Sequence, residues 1–313
     1  SKLLKEIIMN VFDEGFVSVV LGGPKIASKL LSSQWDYIFF TGSVNVGKIV
    51  AEKAAKFLTP TTLELGGKNP CIIDETVPVK TTAKRIIWGK FINCGQTCIA
   101  PDFLIVSEKI VKKLTHELIK QIEVLYGKNP EESESYGRII GAKHLKYLNS
   151  LLENQKIIHG GNINTDNKYF EPTLIEIDNF DSKLMEDEIF GPILPIYAYK
   201  DFNEIDEIIK KYKNPLALYI FTKKIGFGEK FLHKHSFGGG AINDTVVHII
   251  NDRLPFGGIG NSGMGKYHGE STFKTFSHYK PYISKPLWID IPLRYPPFNK
   301  KLNFLKKVLK ITR

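Results

Sequence analysis

Leu63-Glu64-Leu65-Gly66-Gly67-Lys68 closes an alternation of short strands and helices, and Asn93-Cys94-Gly95-Gln96-Thr97-Cys98 begins 25 residues after it ends. Upstream, Phe16 to Leu21 is a β-branched run stopped by Gly22-Gly23-Pro24, Lys25 to Ser33 has helical periodicity, and Asp36 to Phe40 is a second apolar run. A helix over Asn45 to Phe57 leads to a third strand near Thr61 to Leu65. Three strands alternating with helices predict a parallel sheet. A complete doubly wound dinucleotide fold has about six strands in two halves, so residues 1–63 read as the later half of one. Downstream the alternation continues. Helices are expected over Lys80 to Cys94, Ile110 to Tyr126, Ala142 to Gln155 and Asn203 to Lys211, with strands at Phe103 to Val106 and Ile193 to Tyr199. Asn69 and Pro70 read as turn residues, and the glycine run at 238–240 as tight turns in ordered chain.

The two quoted segments set a carboxylate and a thiol 34 positions apart, each beside glycine. A thiolate is the nucleophile needing least help near neutral pH, and a carboxylate can deprotonate the water that later releases an acyl group. A buried cysteine and a surface glutamate is the competing reading of either residue alone. Cys94 reads as a packing residue, since free cysteine behaves as a small hydrophobe. With Cys71, Cys94 and Cys98 there is no even pairing and no CxxC couplet, so neither a disulfide framework nor a metal site is indicated, and a reducing compartment fits. Gly42-Ser43-Val44-Asn45-Val46-Gly47-Lys48 imitates the phosphate loop of nucleoside triphosphatases. Ile49 stands where that loop needs a hydroxyl for magnesium, which argues against it.

Other ordered motifs join these: Phe40-Thr41-Gly42-Ser43 with Val46-Gly47-Lys48, Glu188-Ile189-Phe190-Gly191-Pro192, Pro215 to Tyr219, Asn243-Asp244, and Pro255-Phe256-Gly257-Gly258. The continuation Gly260 to Gly265, Tyr267-His268-Gly269 and Thr275-Phe276-Ser277-His278 completes the series. Over residues from about 16 to 295 the chain resembles the aldehyde dehydrogenase superfamily, and its C-terminal motifs resemble the class 3 branch with the fatty aldehyde dehydrogenases. That resemblance implies an aldehyde dehydrogenase-like α/β fold: a partial doubly wound dinucleotide-binding domain (1–63), an α/β catalytic domain (64–245), active-site loops and an oligomerisation segment (246–295), and a basic amphipathic tail (296–313).

It further implies oxidation of an aldehyde, medium or long-chain aliphatic, with NAD or NADP. Cys98 is the implied nucleophile and Glu64 the base. Gly42, Ser43, Gly47, Leu65, Gly66, Glu188 and Phe190 are implied around the cofactor, Glu188 also as an assisting base, and His248 near the substrate pocket. Retention of Glu64 fits thioester hydrolysis better than transfer to coenzyme A. The family's oxyanion asparagine and adenosine-ribose lysine have no counterpart in this sequence, so the chain reads as an incomplete form of an enzyme of about 450 residues. An inactive homologue or a membrane-associated interaction protein is the alternative. A homodimer is implied as well.

The net charge of +10 is unevenly spread: Lys300 to Arg313 holds six basic and no acidic residues. The remainder gives no basic surface calling for nucleic acid. In the tail Leu302, Phe304, Leu305, Val308, Leu309 and Ile311 share one helical face, against Asn303, Lys306, Lys307 and Lys310. Such a helix suits an anionic membrane surface, a lid over the substrate entrance, or a solvated end. No stretch approaches the ~20 apolar residues of a spanning helix. The expected location is cytoplasmic, extending to the cytosolic face of a membrane.

Overall fold

A computed structural model describes residues 1–13, 15–298 and 301–311. The chain divides into two compact units, Ser1–Phe276 and Ser277–Arg313. The first begins with helices α1 (Lys2–Val11) and α2 (Pro24–Leu30), then strand β1 (Ile38–Thr41), helix α3 (Val44–Ala55) and strand β2 (Thr61–Glu64). There follow β3 (Pro70–Ile73), α4 (Val79–Phe91), β4 (Phe103–Ser107), α5 (Val111–Tyr126), α6 (Ala142–Ser150) and β5 (Lys156–His159). A small hairpin, β6 (Ile163–Asn164) with β7 (Tyr169–Phe170), precedes β8 (Thr173–Ile177) and β9 (Ile193–Tyr199). The unit closes with α7 (Phe202–Lys211), β10 (Ala217–Phe221), α8 (Ile225–Lys234), β11 (Gly239–Ile242), β12 (Gly263–Met264) and α9 (Gly269–Thr275).

Two sheets organise it. The larger has seven strands in the order β11-β10-β3-β4-β9-β8-β5 and is parallel except where β5 joins β8. Every residue of β3, β4 and β10 is buried, as parallel strands covered on both faces require, and this is why they read as unbroken apolar runs. Leu114, Leu118 and Ile122 recur every four residues and put one stripe of α5 into the core. Asp201 and Glu204 form a reciprocal capping box that starts α7. In the smaller sheet β1 and β2 are parallel, but the third member is β12, arriving from 200 residues downstream and running antiparallel.

Several local expectations are corrected. Phe16 to Leu21 belongs to no strand: the amides of Phe16 and Val17 turn back onto the Asp13 carbonyl, and Phe16, Val20 and Leu21 are exposed; β propensity needs a neighbouring strand to become a ladder. Helix α4 ends at Phe91, and Asn93 and Cys94 adopt left-handed conformations, φ 52 and 56. Cys94 and Cys98 therefore do not share a helical face. Pro70 opens a strand rather than a turn, a position where its missing N–H is tolerated. Gly239 and Gly240 belong to β11; a Cβ on Gly240 would come 2.2 Å from the Leu218 carbonyl oxygen, so close strand approach is the reason for glycine.

The second unit carries helix α10 (Leu302–Ile311), on which Leu302, Phe304 and Leu309 are exposed. The side chains of Leu305, Val308 and Ile311 lie outside the described set, as do residues 299, 300, 312 and 313. Among the described residues no helix is long and apolar enough to cross a membrane.

Candidate active site

Strand β2 delivers Glu64 at its carboxyl end, where α/β sheets present ligand crevices. The chain then passes through Gly66 and Gly67 into β3, which belongs to the other sheet. Cys98 comes from the segment between α4 and β4, and two side-chain amides fix that segment. Asn69, just before β3, donates to the carbonyls of Cys98 (2.8 Å) and Ala100 (3.1 Å), and its Oδ1 accepts from the Ala217 amide at 2.8 Å. Gln96 donates to the Asn93 and Arg138 carbonyls and accepts from the Ile140 amide. Gly95 makes the turn at φ 73, and a Cβ there would lie 2.3 Å from the Gly191 carbonyl oxygen.

A cavity of about 570 Å³ gathers the expected residues: Glu64, Cys98, Glu188 and Phe190 share it with Gly42, Ser43, Leu65 and Gly66. Neither carboxylate oxygen of Glu64 has a hydrogen-bond partner, and burial pushes its carboxyl up to about 8. Burial likewise pushes Glu188 up to about 8, aided by Asp102 and opposed by the Gly67 N–H and by Lys90 and Lys68. The Cys98 thiol is raised to about 11, first by burial and then by Glu188 and Glu64, while the backbone amides of Cys98 and Ile99 oppose the rise. Two carboxyls and one thiol thus share a poorly solvated space in which each ionisation discourages the next.

Two expected residues sit elsewhere. Gly47 is buried in α3, where a Cβ would strike Leu65 Cδ2 at 2.5 Å; it packs the helix against Leu65 rather than lining the cavity. His248 lies on a short 3₁₀ turn between the rings of Tyr219 and Phe256, centroids 6.0 and 6.2 Å away. Both its ring nitrogens are buried without partners, and burial lowers its pKa to about 4. Tyr219 connects it to the thiol segment by donating to the Ile99 carbonyl at 2.7 Å. Among the described residues no group of three or more His, Cys, Asp or Glu side chains is placed to hold a metal ion.

Sequence reasoning missed Asn69 as a hub and missed His144, which lines the same cavity and whose Nε2 donates to the Phe190 carbonyl at 2.8 Å. Phe190 has φ 51, so this contact steadies a strained residue. It also missed Lys68, Lys90 and Asp102, all buried. Lys68 and Asp102 carried one signal, their place inside or just after the two quoted segments. His144 carried none.

The family model described as "Aldehyde dehydrogenase family" matches residues 1–281. The chain is 43% identical over 312 residues to 4,4'-diaponeurosporen-aldehyde dehydrogenase of Staphylococcus aureus, covering 99% of this chain and 68% of that protein. Identity is 42% over 299 residues with aldehyde dehydrogenase family 3 member A2 of Mus musculus, covering 95% and 62%. It is 41% over 302 residues with "Aldehyde dehydrogenase, dimeric NADP-preferring" of Rattus norvegicus, covering 96% and 67%. Among solved structures, substrate-bound Staphylococcus aureus AldH superposes with a TM-score of 0.95 at 43% identity, covering 98% of this chain and 68% of that one. The chain thus spans about two thirds of the length of these relatives.

Proposed function

Because the chain belongs to the aldehyde dehydrogenase family, we propose that it serves the oxidation of an aldehyde, medium or long-chain aliphatic, to the carboxylic acid through a thioester on Cys98. The carrying observation is the shared cavity in which a half-buried thiol meets a carboxylate with no partner of its own. Cys98 Sγ loses its proton to solvent and attacks the aldehyde carbon as a thiolate, and the backbone N–H of Cys98 would hold the oxyanion that forms. Such a donor typically accounts for about 10²–10³ in rate. Glu64, lifted to about 8 by burial, removes a proton from the water that attacks the thioester, and takes it up readily because its charged form is poorly solvated. Glu188 is a second candidate for that base.

The residues present fit a dinucleotide. At Gly66 there is no room for a side chain, since a Cβ would lie 1.7 Å from Glu188 Oε2, so that wall is backbone. A second cavity of about 480 Å³ adjoins, also bounded by Ser43, Gly66 and Glu188, which suits a ligand with two linked halves. Ser43 caps α3 by accepting from the Val46 amide, and the N-terminal turn of that helix favours a pyrophosphate. Glu188 would take ribose hydroxyls, and Phe190 and Leu65, which line the same cavity, would pack against the cofactor. When bound, NAD or NADP supplies the hydride acceptor that lets the cysteine adduct collapse to a thioester. The rat relative named NADP-preferring and solved dehydrogenases complexed with NADP or NAD+ support either cofactor, and the dimeric rat relative supports a homodimer.

The test is chemical. Aldehyde and cofactor are added, the reaction is quenched with acid, and the acyl group is located by peptide mass analysis. It should sit on Cys98 and vanish with turnover in Cys98→Ala; label on Cys71 or Cys94, or undiminished turnover in the variant, would reject this nucleophile. Free thiols throughout suit a cytoplasmic setting. A separate proposal concerns the Ser277–Arg313 unit, whose exposed apolar and basic side chains suit contact with an anionic membrane surface.

A further inference from the structure

Lys68, the last residue of the glutamate segment, is only 7% exposed although charged. Its ammonium donates to the carbonyls of Leu184 (2.7 Å) and Asp187 (2.9 Å) and pairs with Asp102 Oδ2 at 2.7 Å. Asp102 is 3% exposed, and its Oδ1 accepts from the Ile189 amide at 3.1 Å. The residues on both sides of Glu188 are therefore held by the two members of one buried ion pair, one at a carbonyl and one at an amide. Glu188 itself lies against Gly66, two residues before Lys68. The chain thus supplies both the surface on which this carboxylate rests and the cation that fixes its backbone. Burying two charges is costly unless every polar atom finds a partner, and here the extra partners are all in residues 184–189. A pair needed only for packing would have no reason to bracket one residue.

We propose that the Lys68–Asp102 pair is a positioning device that locks the backbone at residues 187–189 and so holds the Glu188 carboxylate in the cavity beside Cys98. This deepens the reading of that cavity as the catalytic one. Asp102 lines neither cavity, and Lys68 borders the second one but commits its ammonium to Leu184, Asp187 and Asp102; both act through Glu188. The other charged groups at hand are Lys90, facing Glu188, and Glu64, facing Cys98.

The experiment follows the pH profile of Cys98 alkylation by iodoacetamide, read by peptide mass so that Cys71 and Cys94 do not interfere. Replacing both partners at once, as K68M/D102L, removes the pair without stranding one charge. Glu188→Gln should make Cys98 react at least threefold faster at pH 8, because it removes a neighbouring negative charge. K68M/D102L should do the same, because Glu188 leaves the cavity, and the triple variant should react no faster than Glu188→Gln alone. A wild-type profile in K68M/D102L, or a further gain in the triple variant, would overturn the proposal. Should K68M/D102L not fold, hydrogen exchange in the wild-type protein decides: the Ile189 amide should be protected as well as those of β3 and β4, and rapid exchange there rejects the lock. Fluorescence titration with NADH separates the two readings. Unchanged affinity in Glu188→Gln would reject the cofactor role of Glu188 while the alkylation profile still judges the lock.

Discussion

At Glu64 the protein keeps a carboxyl in a place where ionisation is disfavoured, and this has a consequence for stability as well as for chemistry. Its pKa is about 8 in the fold against 4.5 for an exposed glutamate, because burial penalises the anion. The folded form therefore holds a proton that the unfolded form has already lost. Stability from this group is full below pH 4.5, falls as pH rises towards 8, and is level beyond. Glu64→Gln removes the titration. Its unfolding temperature should exceed that of the parent by an amount that grows between pH 5 and 8, measured by thermal scans across that range; a constant difference would show that the carboxyl is not the cause. The same variant should let Cys98 ionise more easily, since the Glu64 charge is one of two that raise the thiol, and iodoacetamide should react several-fold faster with it at pH 9. Acyl-enzyme should also accumulate, because the proposed base for its hydrolysis is gone. That Glu64 and Cys98 meet in one cavity was legible in the sequence because both sit in short, strongly patterned segments. Asn69 was not, since its three hydrogen bonds reach residues 98, 100 and 217, contacts that only the folded chain creates.

Among the elements, those with clean periodicity were read within a few residues: α3 was expected over 45–57 and runs Val44–Ala55, and β9 was expected and found at Ile193–Tyr199. Errors arose where tertiary contact overrides local preference. The segment Phe16 to Leu21 has strand composition but joins neither sheet, and α4 stops before the point where its apolar pattern ends. What stops α4 is the pair of left-handed residues Asn93 and Cys94, followed by Gly95 at φ 73. That turn aims the segment at Cys98, and it is tight enough to be tested. Gly95→Ala would suffer both a disfavoured φ and a clash 2.3 Å from a backbone oxygen, which cannot swing aside. Strain of this kind costs roughly 1–3 kcal/mol before any clash is counted. The variant should unfold at least several degrees below the parent and alkylate abnormally at Cys98; an unaltered unfolding temperature would show that the turn relaxes freely.

On the scale of the whole molecule, the charge is divided as the sequence suggested: the last 14 residues hold six of the ten net positive charges. What the sequence could not give is how the preceding stretch behaves. Within Ser277–Arg313, Tyr282, Ile283 and Trp288 are 86%, 93% and 84% exposed, so large apolar side chains stand in solvent alongside the basic helix α10. Aromatic and aliphatic groups of this kind enter a lipid interface, and lysines nearby add about 1 kcal/mol each on an anionic surface. A nucleic acid would use the charge and leave the aliphatic groups wet, whereas the lipid contact proposed above would use both. The protein should therefore sediment with vesicles containing phosphatidylserine, much less with neutral ones, and release in roughly 0.5 M salt as the charges are screened. Removing residues 301–313 should weaken the binding, and Trp288→Ser should weaken what remains in salt. Equal binding to neutral and anionic vesicles would mean that the basic residues take no part, and no binding to either would leave this unit without a lipid role.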